Sequence, residues 1–463
     1  MILLLLGCGT VGALPSDSAT ADSDSGPVDA DCSNEADAHV GGSGVDTVPE
    51  LRWTAPEGVA AWAEFDNGDG LTRTSRVGST GPERSALLLG VLPDVSFNWR
   101  VFVSDADGAR CVGAGTASNG ALPAGVPASE GTAASGAIDG FTAAPILVPG
   151  VTDEQWMMIF DGQARVIWAN PVKGVNGTIF STEFERGQDA LLFLVQTTSA
   201  DLDGSIHRLS FNGQQTVVAT APGLHTDFTQ LGDGRYAGLT WELRDIGSDR
   251  VLGDHVVTLD EGGATTVWNA FDEEPYIPSD KWEAGFYVPD PTALDWSHVN
   301  SISWDEASDD LVITGAGYDM VARLSASTGE TRWLFANGIG DYPDTATVSL
   351  FPHGASILPD GDVLLFNRGD FLHDPLHTCS WVSEVHVDTA ATTVTERSRL
   401  TGESCLLTSF LGNAERIADD VTFVDWTSAG RIDQLAADGT SLWNVSLSAG
   451  RAFATADFRA AGE

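Results

Sequence analysis

Nine histidines are spread along a chain of 463 residues, and three of them sit in settings that suit chemistry. His225 lies in Gly223-Leu-His-Thr-Asp-Phe228, just ahead of a Leu231-Gly-Asp-Gly234 turn. His353 lies in Phe351-Pro-His-Gly-Ala-Ser-Ile357, just ahead of Leu358-Pro-Asp-Gly361, so the two share one place in two repeats. His298 lies in Asp295-Trp-Ser-His-Val-Asn-Ser-Ile302, with Asn300 two residues on. Imidazole titrates near neutrality, so histidines converging on one place can act as nucleophile and as general acid or base. The other histidines read more plainly. His207 and His386 alternate with apolar residues and look structural or exposed. His373 and His377 fall in the loop Phe371-Leu-His-Asp-Pro-Leu-His-Thr-Cys379, where solvation is a simpler reading than a metal site. No metal and no cofactor is expected.

The elements that must position these histidines are strands. A Gly turn followed by a strand with Trp recurs as Gly162 to Trp168, Gly263 to Trp268, Gly329 to Trp333 and Gly439 to Trp443. These tryptophans read as packing between repeats. Asp-Gly pairs supply the positive φ of tight hairpins. Four-stranded units of about 40–50 residues would produce the pattern. The expectation is all-β, with a β-propeller of six or seven blades over residues 137–463. His225 and His353 would then sit on inner strands facing the channel.

Residues 46–120 hold shorter strand-like runs, among them Phe97, Trp99, Val101 and Val103 at period two. They suggest a small β-sandwich, similar to a fibronectin type III domain, serving as a spacer or brace. Residues 121–136 read as an Ala-Gly-Pro-Ser linker, and residues 8–45 as an acidic disordered tether. The opening Met1-Ile-Leu-Leu-Leu-Leu-Gly-Cys8 resembles the lipobox of bacterial lipoproteins. Residues 1–7 would be a signal remnant and Cys8 the lipidated end, and a clipped secretory signal is the rival reading. Either one exports the protein. Cys32, Cys111, Cys379 and Cys405 remain, with three possible pairings, of which Cys32–Cys111 with Cys379–Cys405 is the simplest. None has the CxxC spacing of a zinc site.

With 23 basic and 66 acidic side chains the formal charge is −43. Phosphate backbones and anionic lipids repel such a chain, so nucleic acid is excluded as a partner and membrane contact is confined to the lipid anchor.

Three segments together resemble bacterial aryl-sulfate sulfotransferases. They are Asp295-Trp-Ser-His-Val-Asn-Ser-Ile302, then Asp309-Asp-Leu-Val-Ile-Thr314 with Thr328-Gly-Glu-Thr-Arg-Trp-Leu334, and His353 with Leu358-Pro-Asp-Gly-Asp-Val-Leu-Leu-Phe-Asn-Arg-Gly-Asp370. The resemblance spans most of residues 140–460. It implies an exported enzyme that moves a sulfuryl group from an aryl sulfate to a phenolic acceptor, without a nucleotide donor, through a sulfated histidine. By position His353 would be the nucleophile. His298 and Asn300 would bind the sulfuryl oxygens, and His225 would assist. The family's arginine, one strand after the His motif, is replaced here by Ala316, and Pro352 stands where a polar residue is usual. Arg368 is the guanidinium that could reach in from another repeat. The rival expectation is a catalytically weakened propeller that serves as a surface-anchored binding module.

Overall fold

The computed structural model describes residues 32–75, 77, 81–106, 108–148, 151–197, 203–273, 290, 292–342, 347–376 and 378–461. Cys8, most of the expected tether and His377 lie outside the described residues. The described chain is all-β, built of almost wholly antiparallel sheets, with one short α-helix, Ala270–Glu273, and one 3-10 turn, Thr427–Ala429.

Two sheets form the N-terminal unit. His39–Gly42, Pro49–Thr54 and Glu83–Leu87 make one, and Thr72–Thr74, Ala60–Asp66, Ser96–Asp105 and Gly108–Ser118 make the other. Phe97, Trp99, Val101 and Val103 all point inward and meet Leu51 and Trp53 of the facing sheet in a shared core. Their period-two spacing in the sequence is this burial. His39–Gly42 falls inside the stretch expected to be a tether. It is mostly exposed, so no hydrophobic pattern announced it. Its backbone ladder to Pro49–Thr54 and the Cys32–Cys111 disulfide draw it into the folded unit.

Six further sheets follow. The first combines Gly140–Val148, Val151–Asp161 and Val166–Val172 with two C-terminal strands, Ala452–Phe453 and Asp457–Ala460, which pair with Gly140–Val148. The next five sheets open on Thr178–Phe184, Leu224–Gln230, Val299–Asp305, Pro352–Ile357 and Asn413–Ala418. Each runs as a meander, strand beside consecutive strand. Ser129–Ala133, from the expected linker, adds an edge strand to the last sheet. Its small polar residues need only a backbone partner there. The opening strands touch one another in succession, and the C-terminal strand Asp457–Ala460 touches Thr178–Phe184. A cavity of about 250 Å³ is lined by the opening segments of these five sheets and by the C-terminal segment of the first.

Trp168, Trp268, Trp333 and Trp443 are all buried between strands. The N-terminal unit is fastened to the first two sheets. Val48 and Leu89 share a core cluster with Phe141 and Trp168. Arg73 pairs with Asp139 at 3.1 Å, and its guanidinium lies 4.6 Å from the Phe141 ring. These contacts suit a brace.

Carboxyl groups gather at the shared cavity. Burial pushes Asp227 and Asp457 up to about 7, and the neighbouring Glu183, itself raised by burial, adds to both. Their folded-state affinity for protons exceeds that of an unfolded aspartate, so their contribution to stability is full in acid and is lost as pH rises through about 7. The double variant Asp227→Asn/Asp457→Asn is expected to flatten the fall in melting temperature between about pH 5 and about pH 8.5. An undiminished slope would contradict this.

Candidate active site

Three consecutive sheets open with the same irregularity. In Leu224–Gln230, Thr226 takes a left-handed φ of 54° and the register slips between His225 and Phe228. Before Val299–Asp305, His298 has φ 46° and the slip falls between Val299 and Ser301. Before Pro352–Ile357, Phe351 has φ 48° and the slip falls between Pro352 and Ala355. A bulge frees a backbone N–H from the ladder and re-aims the neighbouring side chain. The freed donors find side chains of the preceding sheet: Thr226 N–H donates to Gln196 (2.9 Å), Val299 N–H to Asp254 (2.8 Å) and Phe351 N–H to Asp319 (2.6 Å). His225, His298 and His353 are thereby set near the starts of three adjacent sheets, and the charge of His298 is felt at His353.

His353 is buried. Its Nδ1–H donates to the Gly412 carbonyl at 2.9 Å, which leaves Nε2 with the lone pair. Nε2 has no hydrogen-bond partner among the described residues. Burial holds this imidazole well below its usual range, the positive charge of Arg368 and that of His298 push the same way, and the Gly412 carbonyl opposes them. The ring is therefore favoured in its neutral form. Two glycines make this pose possible. A Cβ on Gly412 (φ +120°) would meet the Phe366 ring at 2.2 Å, and one on Gly354 (φ +72°) would meet Asn413 Oδ1 at 2.6 Å.

His298 is held through Nδ1 by Asp295, three residues earlier. Burial raises Asp295 and outweighs the pull of His298. His225 is boxed in: Nδ1 meets the Thr226 hydroxyl at 2.9 Å, Nε2 lies 3.1 Å from Asp254, and the ring stacks on Trp241 at 4.5 Å. Asp254 also accepts Ser297 Oγ–H (2.6 Å) besides Val299 N–H. Burial works to raise Asp254, but His225 and these donors prevail and the carboxyl lies below its usual value. One carboxylate thus ties His225 to the segment that carries His298.

Asn300 bridges two sheets. Its Nδ2–H donates to the Pro352 carbonyl at 3.0 Å, and its Oδ1 accepts the Thr314 hydroxyl at 2.6 Å. It fixes the strand of His353, with the second N–H of the amide beyond that bond. Arg368 is also buried. It follows Asn367, which pairs with Pro352, so it comes from the strand beside His353. Its Nε–H donates to the Phe351 carbonyl at 3.1 Å, and the guanidinium sits 5.0 Å from the Phe371 ring. Ala316 is fully buried and packs with Phe351 and Phe371.

The remaining candidates fall elsewhere. The cysteines pair as Cys32–Cys111 and Cys379–Cys405, which fits an oxidising, non-cytoplasmic compartment. His207 stacks on Phe193, and His386 bonds to Asp362 at 2.6 Å. Among the described residues no group of three or more His, Cys, Asp or Glu is placed to hold a metal ion, and no helix is long and apolar enough to cross a membrane. Sequence reasoning missed Asp254, Asp319 and Gly412. Asp254 carried a signal, an acid within the apolar run Val251-Leu-Gly-Asp-His-Val-Val257. Gly412 contributes only a backbone carbonyl, which no residue type announces.

A family model described as Arylsulfotransferase (ASST) matches residues 141–441. No curated protein matches the chain. Among solved structures, AztD from Citrobacter koseri aligns at 8% identity over 87% of this chain and 98% of its own, with a TM-score of 0.34. Hydrazine synthase from Kuenenia stuttgartiensis aligns at 10% identity over 61% and 70%, with a TM-score of 0.36. Hsv2p from Kluyveromyces lactis aligns at 10% identity over 84% and 97%, with a TM-score of 0.31. Likenesses this loose bear on neither the site nor the activity.

In nitrogen-15 NMR of histidine-labelled protein, His353 is expected to keep the neutral Nδ1–H tautomer through and below the pH range in which an unperturbed histidine becomes protonated. Titration near pH 6.5, the ordinary midpoint, would refute its burial as a neutral base.

Proposed function

The chain belongs to the arylsulfotransferase family, and from that premise we propose that it transfers a sulfuryl group from an aryl sulfate to a phenol through a sulfated His353. The six sheets would be the blades of a six-bladed propeller, with the C-terminal strands closing the ring. The N-terminal unit would be a fibronectin III-like brace. The observation that carries the reading is His353 itself, a buried imidazole whose Nδ1–H is fixed on a carbonyl and whose Nε2 has no hydrogen-bond partner among the described residues.

In the first half-reaction the Nε2 lone pair attacks sulfur and the S–O(aryl) bond breaks. The electron pair leaves on the phenolate, which takes a proton from a nearby acid. In the second, the acceptor phenol gives up its proton, its oxygen attacks sulfur, and the N–S bond breaks, returning the pair to Nε2. The balance is one aryl sulfate and one phenol exchanged for another such pair. Dividing the transfer into two steps is what a nucleophilic side chain contributes. His298 and the second N–H of Asn300 would meet the sulfuryl oxygens as charge shifts among them. His225, tied to Asp254, would serve as a further sulfuryl ligand or acid–base group.

The family membership supports a sulfotransferase-type function and small aryl substrates. Export and a lipidated Cys8 remain part of the proposal, and the two disulfides agree with it. The rival reading, a surface-anchored binding module, rests on Ala316 in place of an arginine.

Transfer from 4-nitrophenyl sulfate to phenol is expected to follow ping-pong kinetics, with parallel lines in double-reciprocal plots. His353→Ala should lower kcat by about a thousandfold or more while melting near the wild-type temperature. Absence of transfer by well-folded wild type at high enzyme concentration would favour the binding module.

A further inference from the structure

A sulfate ester held beside a buried imidazole needs positive charge, and this chain is strongly acidic, with a formal charge of −43. On the proposed function above, we infer that Arg368 is the sulfuryl clamp of this protein, and that it stands in from the strand beside His353 for the arginine missing at Ala316. Three observations converge. The guanidinium is buried and shares with His353 a single short stretch of chain, because Arg368 Nε–H holds the carbonyl of Phe351, two residues before the imidazole. Its charge is felt at His353. The space around Ala316 is already filled, since Phe351 and Phe371 close over it and Arg368 lies across the face of Phe371.

The packing explains why the two positions go together. A guanidinium projecting from residue 316 would have to displace Phe371, on which Arg368 rests. A small residue at 316 and an arginine at 368 are one solution to a single volume. Holding Nε on a carbonyl fixes the plane of the fork, and the terminal nitrogens are the ones a tetrahedral oxyanion would meet. Arg368 then does two jobs. It binds the anionic donor, and it keeps His353 unprotonated and so nucleophilic.

The position of the clamp also bears on order. Arg368 leads directly into the loop that reaches Cys379, and Ser380 stitches the base of that loop. Its hydroxyl donates to the Arg368 carbonyl (2.9 Å) and accepts Thr408 N–H (2.8 Å). The Cys379–Cys405 disulfide joins the same two loops, the second of which ends at Gly412, the acceptor of His353. The clamp and the support of the nucleophile are thus anchored together.

The test is binding of 4-nitrophenyl sulfate to protein that cannot be sulfated. His353→Ala is compared with His353→Ala/Arg368→Gln and His353→Ala/Arg368→Lys by calorimetry, with melting curves alongside. Loss of affinity of about tenfold or more with glutamine, and partial recovery with lysine, is expected. Equal affinity in all three overturns the inference. Should the glutamine protein fail to fold, the lysine protein alone decides, since it must bind the ester more weakly than the arginine parent. Because binding is read without turnover, the result stands whether or not His353 becomes sulfated, and the two claims fail separately. In the catalytic background, Arg368→Lys retains a cation, whereas Arg368→Gln removes a charge that lowers His353. The acid limb of the rate should therefore move to higher pH in the glutamine variant alone. Ala316→Arg in the otherwise native chain should lower the melting temperature without raising the rate. A rate increase would show that the vacancy at 316 was never refilled.

Discussion

A backbone donor that its own sheet cannot satisfy governs this structure. At the start of four successive sheets, an N–H is taken by a side chain of the sheet before: Ile179 by Gln155, Thr226 by Gln196, Val299 by Asp254 and Phe351 by Asp319. Three of these bonds are buried and that of Thr226 is partly buried, and leaving a buried donor unpaired would cost about 1–3 kcal/mol. The bond fixes where one sheet begins relative to the last. It also holds open the bulge that turns a side chain off the regular alternation. The candidate site occupies three of these starts, so the joint between sheets and the placement of His225, His298 and His353 are one device.

Asp254 shows how far the device extends. The carboxylate that receives Val299 N–H also receives Ser297 and lies against His225. A joint between two sheets is thereby also the orienting partner of an imidazole. Asn300 does similar work one sheet on, gripping the Pro352 carbonyl beside His353. Residues that look like substrate ligands by type are, in part, the fasteners that keep the reactive nitrogen still. Precision of this kind matters because misplacement by about an ångström costs large factors in rate.

The sequence set His225 and His353 alike, and each is the second residue of a sheet-opening strand, Leu224–Gln230 and Pro352–Ile357, while His298 stands just before another. The strands of the N-terminal unit were legible from alternation, as with Phe97 to Val103. His39–Gly42 and Ser129–Ala133 were not, since both are held by backbone pairing and bury little. Gly412 was hidden for a related reason: a carbonyl contributed by the backbone leaves no trace in residue type. The weight of Arg368 was hidden differently. Only the register that sets Asn367 opposite Pro352 brings it to His353, and only the packing of Phe351 and Phe371 shows why residue 316 is small.

The central claim is that His353 carries the sulfuryl group between donor and acceptor. Intact-protein mass spectrometry after brief incubation with an aryl sulfate, with no acceptor present, tests it most directly. The account predicts a gain of one sulfuryl group on wild-type protein, its loss on adding phenol, and no gain on His353→Ala. An adduct that persists in His353→Ala, or wild-type protein that turns over the donor with phenol while never showing one in rapid-quench samples, would contradict it.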